Sequence, residues 1–83
     1  MNPHFASLVM GLAAQANSAL DGQLPPGADQ VGANDPRQLA QALIDTLAAL
    51  EEKTRGNLER DEKELLEKAL TALRFRFATG KLH

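Results

Sequence analysis

Cysteine, tryptophan and tyrosine are absent from this 83-residue chain, and histidine occurs only at His4 and His83. Without cysteine there is no disulfide, no thiolate nucleophile and no cysteine-based zinc site. Two histidines near opposite ends of the sequence do not make a histidine-rich metal centre. With no Tyr or Trp and only three Phe, little aromatic surface remains for stacking on bases or sugars. A formal charge of -2 argues against a partner attracted by opposite charge, such as nucleic acid. So short a chain forms one domain, near the size at which a single core is barely sufficient. Small domains lean on disulfides, metals or oligomerisation. Composition removes the first two and leaves the third.

Charge is also missing locally. FASLVMGLAAQANSAL, residues 5 to 20, contains no Asp, Glu, Lys or Arg. An export signal needs basic residues before its apolar core, and here Met1, Asn2, Pro3 and His4 stand there. A bilayer span needs about 20 apolar residues. This run is shorter, and Ser7, Gln15, Asn17 and Ser18 interrupt it. The expectation is a cytoplasmic protein with no membrane partner.

What is present reads as helix. The first helix is expected from about residue 3 to 20, with Asn2 as N-cap, Pro3 at the first helical position and Asp21-Gly22 as its end. Residues 21–34, DGQLPPGADQVGAN, are rich in Gly and Pro and carry no hydrophobic period; they read as a linker. The second helix is expected over about 35–55, with Asp35 capping, Pro36 in the first turn and Gln38 at the capping-box position. It stops at Gly56-Asn57. The third is expected over about 60–79, opening between Glu59 and Asp61 and closing on Gly80. Its first turn is acidic (Glu59, Asp61, Glu62) and its end basic (Arg74, Arg76, Lys81), which complements the helix dipole. Glu51–Arg55, Glu59–Lys63 and Glu64–Lys68 have the i,i+4 spacing of surface ion pairs. The short turn makes helices 2 and 3 an antiparallel hairpin.

Helix 2 aligns Leu39, Leu43, Leu47 and Leu50, widened by Ala40 and Ile44; helix 3 aligns Leu66, Ala69, Leu70, Leu73 and Phe77. These are core stripes. Helix 1 has two different faces. Phe5, Leu8, Val9, Leu12, Ala13, Ala16 and Leu20 make the large apolar one, while Ser7, Gly11, Ala14 and Ser18 line up a stripe of small residues opposite. Such a stripe lets a second backbone approach closely. Phe75 points away from the helix 3 stripe, with Leu65 and Ala72 nearer its side. Ser7, Gly11, Ala14, Ser18 and Phe75 are therefore the candidate association surface.

No phosphate-cradling, dinucleotide or metal motif is present. His4 lies three residues from Ser7, but a helix terminus is a poor platform for a catalytic triad. Asp61, Glu64 and Glu67 stand among Lys63 and Lys68, a solvated setting in which carboxylate pKa values are not tuned for acid–base work. No catalytic residue, metal or cofactor is expected. The basic end, LRFRFATGK at residues 73 to 81, offers Arg74, Arg76 and Lys81 to phosphates beside Phe75 and Phe77, a small footprint.

FASLVMGLAAQA, LIDTLAALEEKTRGNL and LLEKALTALRFRF resemble the small bacterial family 1844 of the domains of unknown function. The order LIDTL, LEEKT, GNL in the middle block is the most specific part. Arg74-Phe75-Arg76-Phe77 stands where the family often ends in Arg-x-Arg-Tyr, and Glu59-Arg60 replaces its usual capping pair. The resemblance implies a helical domain with no assigned activity. It draws attention to Lys53, Thr54, Arg55, Gly56 and Asn57.

The expected fold is all-α: a hairpin of helices 2 and 3, with helix 1 packed on it or exchanged with a second subunit in a homodimer. One short hairpin cannot cover both faces of an uncharged helix. The expected function is a non-catalytic association module that pairs with itself and has room for another protein partner. The alternatives are weak nucleic-acid binding through Arg74, Arg76 and Lys81, and a small enzyme with an unrecognised site.

Overall fold

A computed structural model describes residues 1–23 and 35–80. Among them run three helices: α1 (Pro3–Leu20), α2 (Pro36–Lys53) and α3 (Arg60–Thr79). Residues 24–34 of the expected linker, and Lys81, lie outside the described residues. Each start follows from local chemistry. The Asn2 side chain accepts hydrogen bonds from the backbone N–H groups of His4 (2.8 Å) and Phe5 (3.1 Å), satisfying donors that the first helical turn leaves unpaired. Asp35 does the same for Arg37 (2.9 Å). Pro3 and Pro36 supply a fixed φ and have no N–H to satisfy.

The ends are equally local. Gly22 takes φ 88, and its N–H donates to Ala19 while that of Gln23 donates to Ser18. This pairing closes α1 in a Schellman motif. Gly80, at φ 64, caps α3. Helix α2 ends at Lys53 rather than near Arg55, because the chain tightens there. The Arg55 N–H donates to Glu52 and the Asn57 N–H to Thr54, and Gly56 turns the chain at φ 85. At α2's start the Asp35 side chain accepts from Arg37, the second helical residue, and not from Gln38, whose side chain makes no return bond, so the expected capping box does not form.

Long-range bonds give the topology. The Asn2 N–H donates to Glu62 at the start of α3 (2.8 Å), and Arg76 at α3's end donates to Asn17 near the end of α1 (2.8 Å). Helices α1 and α3 are therefore parallel. Arg37, opening α2, lies over the Phe77 ring at 3.9 Å from its centroid, so α2 runs antiparallel to both. The bundle is up-down-up, each helix packing on the other two, with α1 lying on the hairpin of its own chain. The all-α expectation holds.

The core is one cluster: Val9, Ala16, Ala19 and Leu20 from α1, Ala40, Leu43, Ile44 and Leu47 from α2, and Leu66, Leu70 and Leu73 from α3. Burying a Leu or Val stabilises by about 1.5–3 kcal/mol, so these stripes hold the bundle. None of the expected i,i+4 ion pairs closes. Among the described residues the ion pairs are Met1 ammonium with Glu59 and Asp61, and Arg76 with Asp21. Exposed pairs on one helix gain little and lose side-chain entropy. Contacts that tie two helices together persist instead.

Candidate functional site

The outer face of α1 is uncovered in this chain. Ser7, Gly11, Ala14 and Ser18 are all exposed, and a Cβ built on Gly11 would meet no other atom within 4 Å. Leu8 was expected in the core, and the structure corrects that: it is 49% exposed. Met10 is 59% exposed. At about 100° per residue, Leu8 lies on one edge of the Ser7–Gly11–Ala14–Ser18 stripe and Met10 on the other. A helix against two neighbours buries a limited arc, and α1 centres that arc on Val9, Ala16, Ala19 and Leu20. The face is thus a stripe of small residues with Leu8 and Met10 toward its two edges and exposed Gln15 between the stripe and Leu8. Met10 escaped notice in the sequence because it falls in the gap between the two stripes. Ala19 falls between Leu8 and Leu12 on the large apolar face and is fully buried.

Phe75 is 72% exposed on the outward side of α3, as expected from its position off the stripe. It lies on α3 and not on α1.

The basic end of α3 is divided by its contacts. Arg76 is held by Asn17, through both its side-chain oxygen (2.8 Å) and its carbonyl (3.3 Å), and by the Asp21 carboxylate. Phe77 is half-buried under Arg37, whose guanidinium also donates to the Phe77 carbonyl at 3.5 Å. Arg74 and Phe75 are exposed at this end, whereas Arg76 and Phe77 are half-buried.

At the opposite pole sits the one buried charged side chain among the described residues, Glu62, 5% exposed. Its carboxylate accepts from the Glu59 N–H and the Asn2 N–H, each at 2.8 Å. The Glu59 bond, then the Asn2 bond, hold its pKa below the ordinary value, against the opposing effect of burial. Hydrogen bonds that the Met1 ammonium donates to the carboxylates of Glu59 and Asp61 hold its pKa above its ordinary value. The sequence marked Glu62 only as part of an acidic first turn. A Glu N-cap at Glu59 is not a usual capping-box opener, so the reach back was not legible.

No cluster of three or more His, Cys, Asp or Glu able to hold a metal occurs among the described residues. No helix among them is long and apolar enough to cross a membrane. The family model described as Domain of unknown function (DUF1844) matches residues 2–79, and the chain belongs to that family. No curated protein and no solved structure matches the chain.

Proposed function

We propose that the protein is a non-catalytic association module that pairs with a second copy of itself through the outer face of α1. The observation that carries this reading is the pairing of no charge with exposed apolar groups. From Pro3 to Leu20 the helix has no Asp, Glu, Lys or Arg, yet it presents Leu8 and Met10 on either side of the small-residue stripe. Charged residues on outer faces keep a domain apart from its copies. Helices α2 and α3 have them and α1 does not.

A second copy suits this face because exposed large and small side chains stand side by side on it. A two-fold axis near Gly11 lets the large side chains of one α1 rest on the small residues of the other, an isologous contact. Phe75 then supplies a separate apolar contact, to the same copy or to another protein. The test is sedimentation equilibrium of the full chain with Gly11→Leu alongside. The native protein is expected to dimerise with rising concentration, and the variant to stay monomeric with unchanged helicity. A native protein that is monomeric at high micromolar concentration overturns the reading.

The nucleic-acid alternative draws on Arg74 and Phe75, which are exposed side by side. It is the weaker reading, since Arg76 is already paired with Asp21.

A further inference from the structure

Where α2 and α3 meet at their turn, the two helices leave a cleft of ≈ 520 Å³, within the size range of small-ligand sites. Leu58 and the fully buried Leu66 give it an apolar lining. Glu51, Arg55, Lys63 and Glu67 line it as well. Thr54 is already satisfied within the chain, its hydroxyl donating to the Leu50 carbonyl at 2.7 Å. None of the four charged groups closes an ion pair among the described residues.

Their order is set by the topology. The chain approaches the turn along α2 and leaves it along α3. Arg55 and Lys63 therefore lie toward the turn, while Glu51 and Glu67 lie further from it. Four residues of helix advance by about 6 Å, the distance along α3 from Lys63 to Glu67. The cleft thus has a cationic end and an anionic end, about 6 Å apart along α3 by the helix rise, with leucine between.

We propose that this cleft binds a small zwitterion of dipeptide size with an apolar side chain. Its carboxylate sits between Arg55 and Lys63, its ammonium between Glu51 and Glu67, and its apolar body on the half-buried Leu58. A polyanion would meet the two glutamates, and a neutral apolar ligand would leave all four charges without partners. A single α-amino acid is too short to reach both ends. The site is separate from the outer face of α1, and its fate does not depend on self-association.

The test is a ¹H–¹⁵N NMR titration of the full chain with alanyl-leucine, compared with its N-acetylated form and with the form blocked at both ends. Saturable shifts are expected at residues 51–58 and 63–67. Acetylation should weaken binding about ten-fold, the size of one lost charge contact. Glu67→Gln should weaken the free dipeptide and leave the already weaker N-acetylated form unchanged; Glu67 is exposed, and the variant's own spectrum reports its fold. Absence of saturable shifts up to about 10 mM, well past a millimolar Kd, overturns the proposal. Equal binding of the doubly blocked form also overturns it, and assigns the cleft to an uncharged apolar segment of a partner protein.

Discussion

The backbone N–H of Asn2 donates to the carboxylate of Glu62 at 2.8 Å, across 60 residues of sequence. The same carboxylate accepts from Glu59, so one side chain both starts α3 and pins the start of α1 to it. A carboxyl whose pKa is lower in the folded state adds stability above its ordinary value, here 4.5. It gives that stability up as pH falls through the lower folded value. Urea midpoints measured from neutrality downward should therefore drop below about pH 4.5. Glu62→Gln retains one acceptor and cannot titrate. Its midpoint should be lower at pH 7 and fall less on acidification, and a pH slope equal to that of the native chain would contradict this role.

Arg76 joins the far ends of the same two helices through Asn17 and Asp21. Partly exposed ion pairs contribute up to about 1 kcal/mol. Arg76→Ala should thus destabilise by about that much, and Asp21→Ala should add little on top of it, because the two act on one contact. A thermal-melt double-mutant cycle measures the coupling. Additive losses would show that Arg76 acts elsewhere.

How far the sequence could be read depended on whether a feature was local. Asn2-Pro3, Asp35-Pro36, Gly22 and Gly80 mark helix boundaries through bonds within a few residues, and all four lie where expected. The leucine stripes of α2 and α3 were legible because a helical period needs no knowledge of the partner. Position on α1 was not, since every residue from Phe5 to Leu20 is uncharged and the pattern lacks contrast. Only the placement of α2 and α3 decides that Ala19 is buried and Leu8 is not. The ties Glu62–Asn2, Arg76–Asn17 and Arg37–Phe77 span three helices and have no sequence period to announce them.

Leu47 faces the centre of the bundle and is fully buried. Leu47→Ala removes its buried surface and leaves a cavity, which destabilises by about 2–5 kcal/mol at such sites. A domain with a total stability of roughly 5–15 kcal/mol should lose a large share of its urea midpoint. A loss below about 1 kcal/mol, typical of an exposed position, would place the core elsewhere.

Gly11 separates the stability of one chain from the association of two. In the middle of an exposed helix, Gly is less favourable than Ala by about 1 kcal/mol, and nothing lies within 4 Å of the Cβ that Ala would add. Gly11→Ala should therefore raise the melting temperature of the dilute chain. In the proposed dimer the methyl group would stand in the small-residue stripe and keep the second backbone at a greater distance, so association should weaken at high concentration. The two effects have opposite signs. Melting curves at low and high protein concentration read both, and a variant that gains equally at each would show that Gly11 faces solvent in the assembled protein.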